Sequence, residues 1–318
     1  MNPVSLEEIE QARERIAEST LRSPLVHLGV DEAPADIYLK LENLQPTGSF
    51  KARGAGNAIA LLSDEERNRG VYTCSAGNMA QALAWHARRK GIPCTVIVPD
   101  TAPETKLAAI ERFGANVVKL PWDGFWQVAT THNYAPLEKS IFIHPFADRR
   151  MIAGNGAIGL EILEDLPNVD SVIIPFGGGG LATGIATAIR GRKKDTKLYA
   201  CETETAAPLA ASFAAGSAQA VKRIPSFVDG IGAENVLSEM WELVQPLLDG
   251  SIVVSLREIV SAIGLLFERN RIIAEGAGAA SVAAALAGKA GTGRVVCVVS
   301  GGNIDISKLV KILHGEIP

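Results

Sequence analysis

Val172-Ile-Ile-Pro-Phe176-Gly177-Gly178-Gly179-Gly180-Leu181-Ala-Thr183-Gly184 sets an apolar run directly against four glycines, and a helical pattern opens behind them. The residues Val172 to Phe176 read as a buried strand and Leu181 to Arg190 as a helix, so the glycines form a strand-to-helix turn. Consecutive glycines at a helix N-terminus present a row of backbone N–H groups, an arrangement suited to a phosphate dianion. The Lys-Ser/Thr ending of a nucleoside-triphosphate loop is missing, which disfavours such a ligand. On these residues alone, a dinucleotide turn and a plain tight bend remain open.

The same alternation extends on both sides. Upstream, Gly70 to Cys74, Cys94 to Val98, Asn116 to Leu120 and Ile141 to Ile143 read as strands; Asn78 to Lys90, Glu104 to Phe113 and Gly156 to Asp165 read as helices. Downstream come strands at Leu198 to Cys201, Ile252 to Ser255 and Val295 to Val299, with helices at Leu256 to Asn270 and Ala277 to Leu286. Short apolar strands separated by helices of ten or more residues predict parallel sheets with helical crossovers. At the start, Ser5-Leu6-Glu7-Glu8 is a capping box leading a helix of about four turns; strands at Leu25 to Leu28 and Ile37 to Leu41 follow. Trp122 to Tyr134 and Ala206 to Leu248 give no clear pattern. No repeat, low-complexity tract or flexible tether is visible, so a second domain is expected as an insertion packed against the first.

The chain has 318 residues, enough for one large or two moderate domains, and a net charge of -4. Charges of both signs are spread along it, so nucleic acid is not an expected partner. The acidic beginning Met1-Asn-Pro-Val-Ser-Leu-Glu-Glu does not read as a signal peptide, and the small-residue run Gly276 to Gly288 is too short to cross a bilayer. A cytoplasmic protein with no membrane partner is expected. Cys74, Cys94, Cys201 and Cys297 are far apart without a Cys-x-x-Cys pair, and three sit in or beside strand-like runs, so they read as reduced core residues.

Four further stretches carry candidate chemistry. In Pro46-Thr-Gly-Ser-Phe50-Lys51-Ala-Arg-Gly54, a lysine beside Phe50 follows a Gly/Ser turn and opens an apolar helical pattern. Partial burial there would lower its pKa and expose a neutral amine able to capture an aldehyde. Ser75-Ala76-Gly77-Asn78-Met79 lies between strand and helix, with amides that suit a carboxylate and a cap as the alternative use. Ser300-Gly-Gly-Asn303 ends the last strand, where open parallel sheets bind ligands. Glu275 stands ahead of a small-residue helix. The five histidines have no metal-ligand spacing, and no Gly-x-Ser-x-Gly elbow occurs.

Taken in order and at this spacing, Lys40-Leu-Glu-Asn-Leu-Gln-Pro-Thr-Gly-Ser-Phe-Lys-Ala-Arg-Gly54, Ser75-Ala-Gly-Asn78, Gly177-Gly-Gly-Gly180 and Ser300-Gly-Gly-Asn303 resemble the serine/threonine dehydratase family. Ile152 to Gly159 and Ala274 to Ala279 extend the likeness over nearly the whole chain. The resemblance implies the tryptophan-synthase-β type of α/β fold: two domains, mostly parallel open sheets flanked by helices, the smaller domain inserted in the larger. The expected division is 1–65 with 143–318 for the cofactor domain and 66–142 for the substrate-loop domain.

The cofactor implied is pyridoxal 5'-phosphate, held by Lys51 as a Schiff base with Phe50 near its ring. Asn78 would bond the ring hydroxyl, Gly177, Gly178, Gly179, Gly180 and Leu181 would cradle the phosphate, Glu275 would line the ring, and Ser300 would meet the pyridine nitrogen. Ser75, Ala76 and Gly77 would present backbone and hydroxyl donors to the substrate carboxylate, with Asn78 and Met79 completing the substrate-binding loop. The reaction implied is α,β-elimination from a β-hydroxy amino acid, threonine or serine first, giving a 2-oxo acid and ammonia. Lys51 would take the α-proton, the hydroxyl would leave protonated through the cofactor phosphate, and released aminoacrylate would hydrolyse through its imine. A serine at the ring nitrogen cannot hold a proton there as an aspartate does, which favours prompt elimination over transamination.

This chain departs from the family at several positions. Met79 stands where a histidine is usual, and Trp122-Asp-Gly-Phe-Trp126 is unlike the common pattern; both suggest an altered pocket and a larger or less polar substrate. Ala76 stands where related racemases carry a second serine, which disfavours racemisation. Glu202 matches one carboxylate of the racemases' divalent site, but Ala206-Ala-Pro208 supplies no later one, so no metal is expected. Residues after Asn303 are too few for the regulatory extension of biosynthetic enzymes, and isoleucine inhibition is not expected. The family also implies a homodimer. Racemisation, β-replacement and lysis of a bulkier hydroxy amino acid are the alternatives on this fold; a catalytically silent phosphate-ligand binding protein is the alternative of a different class.

Overall fold

Apolar runs at Val71–Cys74 (β3), Cys94–Pro99 (β4), Ser171–Pro175 (β7) and Arg294–Val299 (β10) are buried almost end to end in the computed structural model, which describes all 318 residues. Strands covered on both faces carry no polar alternation, and helical crossovers supply the cover. The remaining strands are Leu25–His27 (β1), Asp36–Leu41 (β2), Asn116–Leu120 (β5), Ile141–Phe142 (β6), Lys197–Thr203 (β8) and Gly250–Val254 (β9). They form a six-stranded sheet in the order β1-β2-β10-β7-β8-β9 and a four-stranded sheet in the order β5-β4-β3-β6. Only β1 and β2 pair antiparallel. The mixed, mostly parallel α/β architecture is the one expected.

The helix Lys51–Ala60 lies between the two sheets, and its residues from Ala52 to Ile59 are all buried. It packs on the helix Arg149–Asp165 and on the helix Asn78–Arg89. Its core contacts run into the cluster around the smaller sheet, with Ala55, Ala58 and Ile59 against Leu83, Val96 and Met151.

Several elements differ from expectation. The helix expected from Gly156 begins at Arg149, where the Asp148 carboxylate accepts from the Arg150 amide at 2.8 Å. Glycine disfavours helix in isolation, and the Gly-Asn-Gly run hid this first half. Here the glycines allow close approach: a Cβ at Gly159 would lie 2.7 Å from the Ile185 carbonyl of the neighbouring helix Gly180–Arg192. The unassigned aromatic segment is a helix, Trp122–Thr131, ended by His132 in the left-handed region. Short helices at Asp64–Arg69 and Ile306–Leu313 were not expected, although Ser63 and Glu66 form a capping box. Gly70 belongs to the turn after Asp64–Arg69, with φ +80, and not to the strand. The first helix, Leu6–Ile16, has 11 residues, three turns and not four. The segment 206–248 contains helices Pro208–Ala215 and Ser238–Val244.

Candidate functional site

The carboxyl ends of β2, β3, β7 and β10 face one cleft, the position at which open parallel sheets present loops to a ligand. β2 leads through a turn into Pro46–Phe50 and then Lys51. That turn is stitched to the loop after β10: the Phe50 amide donates to the Ser300 carbonyl at 3.0 Å and the Gly302 amide to the Gly48 carbonyl at 2.9 Å. Lys51 and Ser300, far apart in the sequence, are thereby fixed against each other. The cleft encloses about 470 Å³ and is lined by all of the expected residues, namely Phe50, Lys51, Ser75 to Met79, Gly177 to Leu181, Glu275 and Ser300.

Lys51 opens its helix, and its Nζ donates to the Pro145 carbonyl at 2.5 Å. No carboxylate pairs with it. Burial alone pulls the amine down to about 8, so a sizeable neutral fraction is present near neutrality. The Phe50 ring centroid lies 5.0 Å from the same nitrogen.

The glycine turn forms the opposite wall. The amides of Gly177 to Leu181 donate to no protein acceptor. Gly179 adopts φ +93, which glycine takes without strain, and the turn's residues line the cleft. A Cβ on Gly178 would collide with the ring of Phe146, so the turn's shape depends on a bare backbone there.

Ser75 to Gly77 join β3 to the helix Asn78–Arg89. The Gly77 amide donates to Ser75 Oγ at 3.2 Å, while the amides of Ala76, Asn78 and Met79 have no protein acceptor. The Met79 side chain, 1% exposed, turns into the core around the smaller sheet, so what it presents to the cleft is mainly backbone. Asn78 Nδ2 donates to Glu275 at 2.8 Å, and Asn303 Nδ2 donates to Asn78 Oδ1 at 2.7 Å. Burial raises Glu275 to about 7, outweighing the Asn78 hydrogen bond. Ser300 is 3% exposed, and its hydroxyl meets no protein partner.

One supporting segment escaped sequence reading. Pro145 and Phe146 provide the acceptor for Lys51 and the ring against Gly178, and they follow β6 in His144-Pro145-Phe146-Ala147. Buried His144 holds this loop: burial pulls its ring down to about 3, so it is neutral, and Nδ1 accepts from the Ala147 amide at 2.8 Å and the Phe146 amide at 3.2 Å. Nε2 pairs with the Ala129 carbonyl of the Trp122 helix. A histidine-proline pair directly after a strand was the available signal. Glu202 serves the fold: it accepts from the amides of Leu209 and Ala210 at 2.9 and 2.8 Å and from Ser251 Oγ, capping the helix Pro208–Ala215.

This donor set suits pyridoxal phosphate. Free amides at a helix N-terminus match its phosphate, a half-buried amine that desolvation leaves partly neutral matches its aldehyde, and the unpartnered hydroxyl of a buried serine matches a ring nitrogen.

A family model described as pyridoxal-phosphate dependent enzyme matches residues 16–301. The L-threonine ammonia-lyase of Thermotoga maritima is 40% identical over 316 residues, covering 98% of this chain and 78% of that protein. The catabolic L-threonine dehydratase of Escherichia coli is 38% identical over 317 residues, covering 98% and 96%. Among solved structures, the serine racemase of Dictyostelium discoideum superposes with a TM-score of 0.88 at 35% identity, covering 95% of this chain and 99% of that one.

Proposed function

The chain belongs to the pyridoxal-phosphate dependent enzyme family, and from that premise we propose that it is an ammonia-lyase converting a β-hydroxy amino acid, threonine or serine first, to a 2-oxo acid and ammonia. The observation that carries this reading is a half-buried Lys51 amine, paired with no carboxylate, that shares one cleft with a glycine turn whose amides are free.

When bound, pyridoxal phosphate supplies an aldehyde and an electron-accepting ring that stabilises charge leaving the α-carbon. Lys51, neutral in part at physiological pH, would be the nucleophile that holds the cofactor and the base that takes the α-proton. The Pro145 carbonyl orients the amine. The amides of Gly177 to Leu181, which have no protein acceptor, would hold the phosphate, those of Ala76, Asn78 and Met79 would receive the α-carboxylate, and Ser300 would offer a neutral hydroxyl to the ring nitrogen. Asn78, braced by Glu275 and Asn303, would serve the ring hydroxyl. Ala76 has no hydroxyl to return a proton to the second face of the α-carbon, which supports lysis over racemisation.

The residues 66–142, which contain β3 to β6, make the substrate-loop domain of this reading, with 1–65 and 143–318 as the cofactor domain. The exposed apolar residues Ile306, Val310 and Leu313 of one C-terminal helix support a homodimer; a monomeric mass by light scattering would refute that assembly. No helix is long and apolar enough to cross a membrane, and buried free cysteines fit a cytoplasmic location.

Assaying 2-oxo acid release from serine, threonine, 3-hydroxyaspartate and phenylserine tests the activity; no release from any of them would refute it. Two further outcomes follow from the geometry. The rate at which apoprotein captures pyridoxal phosphate should rise with pH and level off above about 8, not above the ordinary lysine value, as stopped-flow absorbance would register. A Gly178→Ala protein must displace the Phe146 ring; overpacking of this kind costs about 1–3 kcal/mol, so cofactor affinity by fluorescence titration should fall about tenfold or more.

A further inference from the structure

Among the charged groups of the cleft, one has no partner. The two anions that an amino-acid lyase must hold are the cofactor phosphate and the substrate α-carboxylate. Each already faces its own row of free amides at a helix N-terminus, Gly177 to Leu181 for one and Ala76, Asn78 and Met79 for the other. Two further cations line the same cleft. Lys106 is paired with Asp229. Arg223, half-buried, forms neither a hydrogen bond nor an ion pair with any protein group. An arginine brought partly out of water has five N–H donors to satisfy, and its planar fork matches a carboxylate. The carboxylates of the cleft are committed elsewhere: Asp229 to Lys106, and Glu275 to Asn78.

We propose that Arg223 is a specificity-determining residue that binds a second carboxylate carried on the substrate's side chain, so that the chain acts on β-hydroxy dicarboxylic amino acids such as 3-hydroxyaspartate. This rests on the lyase reading of the cleft and narrows its substrate class. The chemistry balances without an added oxidant. Elimination breaks the Cα–H and Cβ–O bonds, forms a Cα=Cβ bond and releases water; the enamine so formed gains a proton at Cβ and loses one from nitrogen to become an imine, and one water then adds across its carbon-nitrogen double bond and expels ammonia, leaving a 2-oxo dicarboxylate. Trp122, which also lines the cleft, supplies a broad apolar wall and no competing acceptor for Arg223.

The test compares holoenzyme and its Arg223→Gln variant in two measurements. In the first, kcat/KM is measured for both diastereomers of 3-hydroxyaspartate and for threonine. The wild-type protein should favour one 3-hydroxyaspartate, and Arg223→Gln should lower the ratio of that kcat/KM to the threonine value about 10- to 100-fold, the range for losing a charge-assisted bidentate contact. In the second, calorimetry compares binding of L-aspartate with that of L-2-aminobutyrate, neither of which carries a leaving hydroxyl. Aspartate should bind about 10-fold or more tightly, and the variant should lose that margin. Equal weakening of both ligands would assign Arg223 to the α-carboxylate or the phosphate and overturn the proposal, as would an unaltered substrate ratio or the absence of any preference for aspartate. If aspartate binds preferentially through Arg223 but no hydroxy amino acid releases ammonia, the carboxylate subsite stands and the lyase reading fails.

Discussion

Replacing Lys51 by alanine is expected to leave a folded protein that binds no cofactor covalently and turns over β-hydroxy amino acids at least about 10³-fold more slowly, since both nucleophile and base are removed together. The fold should survive because the amine makes one hydrogen bond, to the Pro145 carbonyl, and pairs with no carboxylate. An amine held in a partly dry cleft is itself a cost to folding, and alanine suits the first turn of a helix. The thermal midpoint of the apoprotein should therefore hold or rise slightly. Titration of the variant with pyridoxal phosphate should show free-aldehyde absorbance only, whereas wild-type protein develops the longer-wavelength band of the lysine-bound form. Turnover within tenfold of wild type would remove Lys51 from the chemistry and leave the cleft without a base.

Arg53→Ala should produce the largest loss of stability. Two residues beyond Lys51, the Arg53 guanidinium is 1% exposed and lies between two buried carboxylates. Nε and Nη2 donate to Glu42 at 2.7 and 2.8 Å, and Nη1 and Nη2 donate to Glu161 at 2.7 and 2.9 Å. Lys40, fully buried, adds a second cation to Glu161 at 2.7 Å. Two cations thus balance two anions away from water. Burial pushes the Glu42 carboxyl up, but Arg53, Ser23 and Lys40 outweigh it and hold it below the usual carboxylate range. Burial likewise disfavours the Arg53 charge, and the two glutamates more than compensate.

Removing the arginine leaves two buried carboxylates facing one lysine, a change that costs about 3–5 kcal/mol in comparable buried pairs. Differential scanning calorimetry should show a thermal midpoint lower by several degrees, and Arg53→Lys should recover only part of it because an ammonium cannot serve both carboxylates in a fork. Glu42 follows β2, Arg53 lies in the Lys51 helix and Glu161 in the Arg149–Asp165 helix, so the network locks the Lys51 helix to the larger sheet. Weaker cofactor binding should accompany the lower midpoint. An unchanged midpoint would show that water replaces the guanidinium at little cost and that the network does not hold the helix.

The strands and the site loops were legible for the same reason. Parallel strands covered on both faces become apolar runs, and the loops at their carboxyl ends carry the Gly, Ser and Asn that approach a ligand closely, so Lys51, Ser75 to Asn78, Gly177 to Gly180 and Ser300 could be recognised from order and spacing. Packing between distant segments left no such mark. Glu42, Arg53 and Glu161 read as three ordinary charged residues until the fold brings them together. The first half of the Arg149–Asp165 helix was hidden because its glycines serve close helix contacts and not helix propensity. Met79 invited a reading as a pocket wall, yet its side chain packs among Ala55, Leu83 and Val96 and leaves that role to Trp122. Arg223 could not be singled out from a Lys-Arg pair in an unpatterned loop, because what marks it is the lack of a partner.

Which nitrogen holds the cofactor decides the chemistry of the whole cleft. Apoprotein loaded with one equivalent of pyridoxal phosphate, reduced with borohydride and digested, should carry a single pyridoxyl group, and fragmentation should place it on the peptide containing Ser49-Phe50-Lys51. A pyridoxyl group on another lysine, or no covalent label at all, would contradict this assignment.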